Sequence, residues 1–178
     1  MRKSCGLSLW ISAILLTMLP FAHAEVKWTQ PHGFKIVNKA VINAPPETVW
    51  YDFVNNIDAW WPKDHSWWGE KGTFSLTPKA GGCFCEVSGD NSAEHMRVVF
   101  VAKETQLTMV GGLGPLQGMG MYGALNWQFN PKETGTEVTL TYTVQGADKN
   151  AFDKLAPIVD EVQGIQLSGL INYTSKAQ

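Results

Sequence analysis

The chain has 178 residues, with 14 Lys plus Arg against 16 Asp plus Glu and a formal net charge of −2. It shows no basic patch or run, so the expectation is no nucleic-acid partner. Hydrophobic residues make up 44% and include 8 tryptophans, enough for one domain with a real core.

Arg2 and Lys3 make a basic start, residues 7–19 are an apolar run, and Ala22-His23-Ala24 has small residues at cleavage spacing. This is the pattern of a secretory signal peptide over residues 1–24, and the run is short for a transmembrane helix. The expectation is a periplasmic or secreted protein, one domain over residues 25–178, with no stable membrane insertion after cleavage. Loss of the two N-terminal cations takes the net charge to −4.

Residues 25–33 lack clear periodicity and read as a short leader. Residues 34–43 alternate as a strand, which Pro45 and Pro46 stop. Pro46 suits a first helical turn, and Glu47 complements the helix dipole. Trp50, Phe53, Ile57 and Trp61 recur at helical spacing as far as Pro62. A loop follows, Lys63-Asp-His-Ser-Trp-Trp-Gly69. Strands are predicted at 73–77, 83–87, 94–102 and 106–110, separated by turn sequences. Residues 111–118 form a glycine-rich link. It lacks the Lys-Ser/Thr of a phosphate loop, and no helix follows it. Residues 119–129 form a strand with Met121, Leu125, Trp127 and Phe129 on one face. Residues 136–145 alternate strictly, with Val138, Leu140, Tyr142 and Val144 inward. Pro157 is expected to start the last helix. Its apolar stripe of Leu155, Val159, Val162, Leu170 and Tyr173 is interrupted by Gln166.

This order is strand, helix, about six strands, long helix. Local motifs accompany it: Ala44-Pro-Pro-Glu-Thr-Val-Trp50, Ala80-Gly-Gly-Cys-Phe-Cys-Glu86, Gly112-Leu-Gly-Pro-Leu-Gln117, Gly135-Thr-Glu-Val138 and Gln166-Leu-x-x-Leu170. Over residues 34–173 the chain resembles the START-like, helix-grip superfamily (SRPBCC). That family includes lipid and sterol carriers, polyketide cyclases and heat-shock-ATPase activator domains. The resemblance implies an α+β helix-grip fold: a curved antiparallel sheet of about seven strands, a short helical segment after the first strand, and a long C-terminal helix across the sheet. It also implies a hydrophobic cavity between sheet and helix, and no cofactor. The export signal departs from the many cytosolic members and removes the ATPase partner from reach.

By pattern alone, the inward residues could equally fill an ordinary core. The resemblance favours a cavity, as do the small residues Gly164, Ser168 and Gly169 in the covering helix. The expected lining is Trp60, Trp67, Cys83, Cys85, Met121, Leu125, Trp127, Leu140, Tyr142, Val162 and Gln166, around a hydrophobic small molecule such as a fatty acid. Trp127 is expected on the cavity floor. Cys83 and Cys85, at i and i+2 of a strand, span about 6.6 Å when extended, at the upper edge of disulfide geometry. Two inward free thiols are the preferred expectation. Trp60, Trp61, Trp67 and Trp68 either plug the core or stand at the cavity mouth. His65, Glu86 and His95 are the weak acid–base candidates. A metal site from His65, Cys83, Cys85 and His95 lacks a recognisable spacing, so none is expected. The reading inclines to a carrier. A cyclase or hydratase of the same fold and a protein-interaction domain using the aromatic loop remain as alternatives.

Overall fold

The computed structural model describes residues 23–147 and 152–176. The expected signal segment up to residue 22 lies outside the described residues. Eight strands form one antiparallel sheet: β1 (His23–Gln30), β2 (Gly33–Ile42), β3 (Thr73–Leu76), β4 (Cys83–Ser88), β5 (Asn91–Ala102), β6 (Gln106–Gly111), β7 (Tyr122–Lys132) and β8 (Gly135–Gln145). Their spatial order is β1-β2-β8-β7-β6-β5-β4-β3. Between β2 and β3 lie α1 (Pro46–Asn55) and α2 (Ile57–Trp60), and α3 (Phe152–Lys176) closes the chain. After β2 the chain re-enters the sheet at its opposite edge, so residues 43–72 must cross one face. Strands β3 to β7 then return in sequence, and β8 completes the sheet against β2. The α+β architecture follows: a curved sheet with a long helix packed across it.

The eighth strand is β1, which covers residues expected to be a leader. Its side chains from 25 to 30 are exposed or half-buried, and its register with β2 shifts between Val26 and Trp28. A bulged edge strand without a buried face carries no clean alternation. The predicted first helix also divides. The Asn56 N–H bonds the Asp52 carbonyl, α1 ends there, and a separate turn carries Trp60. The last helix starts at Phe152 and holds Pro157 inside it. Phe152 packs against Phe34 of β2 at 6.0 Å, and Ala156 is fully buried. Burial of this first turn outweighs the hydrogen bond that Pro157 cannot make.

The inward residues of β7 and β8 are Leu125, Trp127, Phe129, Val138, Leu140, Tyr142 and Val144, all essentially buried. Under α1 and α2 they meet a dense aromatic cluster. Phe53 lies 4.9 Å from Trp127 and 5.2 Å from Phe129, and Trp60 stacks on Phe53 at 5.9 Å. The second half of α3 presses on the same cluster. A Cβ on Gly169 would stand 2.4 Å from the Trp60 carbonyl oxygen, so that glycine permits close approach of α3 and α2. Gly169 thus serves packing, and none of Gly164, Ser168 and Gly169 lines the cavity described below.

Candidate functional site

The loop after α2 starts at two buried tryptophans. Trp60 donates its indole N–H to the Asp52 and Phe53 carbonyls, and Trp61 packs 4.7 Å from Phe84. Pro62 then turns the chain into a short 3-10 segment, Lys63–His65. Lys63 ties the loop down by pairing with Asp58 at 2.6 Å and donating to the Gly72 carbonyl at 2.7 Å. The result is a fixed loop that presents Asp64, His65, Ser66 and Trp67 to one end of the sheet.

The glycine-rich link is held at that same end. Tyr142 donates its hydroxyl to the Gly111 carbonyl and accepts the Leu113 N–H at 3.0 Å. Burial pushes the Tyr142 phenol up to about 12, so it stays neutral and keeps both bonds. Leu113, Pro115, Leu116 and Met119 then face the aromatic loop across a cavity of about 310 Å³. The first half of α3 makes the third wall with Leu155, Val159, Val162, Gln163 and Gln166. The volume is at the lower end of the ~300–1,000 Å³ usual for small-molecule sites.

One carboxylate–imidazole pair stands at this apolar cavity. His95 lies on its wall, with Nε2 2.9 Å from Glu86 Oε2. Glu86 is fully buried on the inward face of β4. It accepts the Ser66 hydroxyl and the N–H groups of Trp67 at 3.1 Å and Trp68 at 3.3 Å. Burial alone would raise its carboxyl, but the bonds from Ser66, Trp67, His95 and Trp68 outweigh it and hold the group below the usual range. His95 is lowered by burial, with partial compensation from Glu86. The site is therefore a carboxylate beside a neutral imidazole. A Cβ on Gly72 would lie 2.1 Å from Glu86 Oε1 and 2.8 Å from Ser66 Oγ, so a larger residue there would push the carboxylate and its hydroxyl donor aside.

A bulge aims the histidine. Phe84 pairs with Met96 and Cys85 with Glu94, which leaves His95 unpaired between them. Both His95 and Met96 consequently point inward, against the strand alternation. The His95 ring rests between Phe84 at 5.0 Å and Phe74 at 5.6 Å.

Of the residues expected to line a cavity, Trp67, Tyr142, Val162 and Gln166 do so, and His65 and His95 join them. Trp60, Leu125, Trp127 and Leu140 are buried in the filled aromatic half, and Met121 is buried outside this cavity. Trp127 is thus not a cavity floor, because Phe53 and Trp60 already occupy the space over it. Cys83 and Cys85 are not inward either. Phe84 and Glu86 take the inward parity of β4, and the two cysteines share the outer face. They are joined in a disulfide with Cα atoms 5.5 Å apart, inside the range a bridge accepts. That span is shorter than the ~6.6 Å of the extended strand on which free thiols were expected. The bridge also removes both cysteines from any metal set, and no metal-ligand cluster occurs among the described residues.

Gln163, Ser66, Leu113, Leu116 and Met119 were missed. One signal was available. Gln163 and Gln166 stand three apart, so both fall on one helix face, between the apolar Val159 and Val162. A polar pair there marks a face that does not meet a dry core.

No family model matches the chain, and no curated protein matches it in sequence. Solved structures do match. Protein MLL2253 from Mesorhizobium loti is 17% identical with a TM-score of 0.60, over 81% of this chain and 98% of that one. A Rhodobacter sphaeroides protein is 14% identical with a TM-score of 0.59, over 88% and 100%. CalU16 from Micromonospora echinospora is 13% identical with a TM-score of 0.58, over 88% and 84%. At these identities the likeness is one of fold alone, an antiparallel sheet with a C-terminal helix laid across it.

Proposed function

We propose that this chain is an exported small-molecule binding protein of the START-like, helix-grip type, which holds an apolar or amphipathic ligand between the sheet and α3. One observation carries the reading. The cavity walls are mostly apolar, yet four wall residues carry buried polar atoms without a partner: His65 Nδ1, His95 Nδ1, Gln163 Oε1 and Gln166 Oε1. Each such atom costs roughly 1–3 kcal/mol when left unpaired. Other buried orphans lie singly in the core, but these four gather on the walls of one cavity, where a bound ligand can satisfy them together. Native mass spectrometry of protein isolated from its own exported fraction tests the reading, with N-terminal sequencing of the same sample. The expected result is a chain starting at Glu25 that carries a non-covalent small molecule and binds a hydrophobic dye once stripped. A chain that retains nothing and takes up no dye would overturn the binding function. A chain still starting at Met1 would overturn export.

A second reading is an enzyme of cyclase or hydratase type. The specific observation in its favour is His95 on the cavity wall with a carboxylate fixed behind it, the arrangement of a general base. Turnover of a bound ring compound that is lost in a His95 variant would decide for it.

A further inference from the structure

We infer that the cavity selects a neutral, hydroxyl-bearing apolar molecule over a carboxylate of the same shape, with His95 Nδ1 as the atom that receives the hydroxyl proton in a hydrogen bond. This rests on the binding reading above and adds the chemical class of the ligand.

Glu86 is buried and accepts four hydrogen bonds, from Ser66, Trp67, Trp68 and His95. An ionised carboxylate can only accept. The proton between Glu86 and His95 therefore sits on Nε2, and in the neutral imidazole Nδ1 is left with a lone pair. Nδ1 is buried and has no donor. The orphaned atoms of Gln163 and Gln166 are their carbonyl oxygens. Three wall residues thus offer acceptors, and the Tyr142 hydroxyl is already committed to the Gly111 carbonyl.

Charge points the same way. Glu86 is held by hydroxyl, amide and imidazole dipoles, and the charged side chain lining the cavity is Asp64. Lys63 is engaged with Asp58. A ligand carboxylate would bring a second negative charge into an apolar space and meet acceptors. A hydroxyl would satisfy one of them. A fatty acid, a natural expectation for a START-like carrier, is therefore a poor fit to this cavity.

The test uses three matched probes on the stripped full-length exported protein: 4-propylphenol, propylbenzene and 4-propylbenzoate, titrated by calorimetry at neutral pH. The phenol should bind about tenfold more tightly than propylbenzene, the worth of one good buried hydrogen bond. The benzoate should be weaker than the phenol. His95→Phe, which suits the nest of Phe74 and Phe84, should keep propylbenzene binding and bring the phenol within about threefold of it. Gln166→Leu, which leaves Glu86 untouched, should lower the same ratio and covers the case in which the His95 variant folds poorly. Benzoate binding as tight as the phenol would overturn the proposal, as would a ratio that neither variant changes. Propylbenzene binding without a phenol preference overturns the selectivity and leaves the cavity as a binding site. Failure of all three probes overturns both.

Discussion

The two halves of the space between sheet and helices are built on opposite principles. Under α1, α2 and the second half of α3, Phe53, Trp60, Trp127 and Phe129 interlock with ring separations of 4.9–6.0 Å. Beside residues 155–166 of α3 lies a cavity of about 310 Å³ whose walls gather four buried polar atoms without a partner, whereas Trp127 Nε1 is a single such atom in the aromatic half. The same sheet serves both, and Tyr142 lies two residues from Leu140 on β8. What differs is the covering segment. Regular helices bring rings at helical spacing and fill the space. The loops at 63–67 and 113–119 bring backbone turns that set His65, Trp67, Leu116 and Met119 around the space, and they close it without filling it.

Trp127→Ala should have the largest effect on this contrast. It opens a hole in the interlocked half and should cost about 3–5 kcal/mol in urea unfolding. A loss below 1 kcal/mol would show that the aromatic half is loose, and the contrast would fail. Leu140→Trp should destabilise by roughly 1–3 kcal/mol, because no space is vacant there. Glu86→Gln replaces the charged acceptor of four hydrogen bonds and should cost about 1–3 kcal/mol at neutral pH.

The Glu86 variant also changes the pH response, and the sign is fixed by the structure. Glu86 is held below its ordinary value in the folded state, so its contribution is full above that value and is lost as pH falls from there to the lower folded value. His95 is likewise lowered, so the unfolded chain takes up its proton first, and stability falls as pH drops below the ordinary imidazole range. Urea midpoints for the native sequence should decline on acidification, and below the ordinary carboxylate value they should fall more steeply than those of the Glu86→Gln variant, which has no carboxyl to protonate there. Parallel curves would show that the pair contributes nothing to acid sensitivity.

The smallest effects test the edges of the picture. The Cys83–Cys85 bridge closes a very short loop, so changing both residues to Ser should cost about 1.5 kcal/mol or less. Peptide mapping without reductant should recover the two cysteines as a linked pair. Val162→Trp places bulk in the cavity and should alter stability by less than about 0.5 kcal/mol while abolishing dye binding. A large stability loss from Val162→Trp would mean that the second half is packed like the first.

Regular elements with one buried face were legible in the chain alone. Strand β8 has Val138, Leu140, Tyr142 and Val144 inward because half-burial writes a period of two into the sequence. The Pro45-Pro46 entry to α1 and the antiparallel return of short-linked strands were legible for equally local reasons, capping and turn chemistry. His65, His95 and Glu86 could be picked out as chemically able, and Gln166 as an oddity in an apolar stripe. Their convergence could not. The parity of β4 was misread because cysteine passes for an apolar residue, whereas a buried carboxylate at Glu86 is allowed only by donors that arrive from residues 66–68. The inward turn of His95 depends on a bulge, a pairing offset between two strands that neither strand records by itself. The start of α3 was set by Phe34 across the core, against the local preference of Pro157. Local sequence determined the elements and their faces. The tertiary structure decided which loops meet over the sheet, and that meeting makes the cavity.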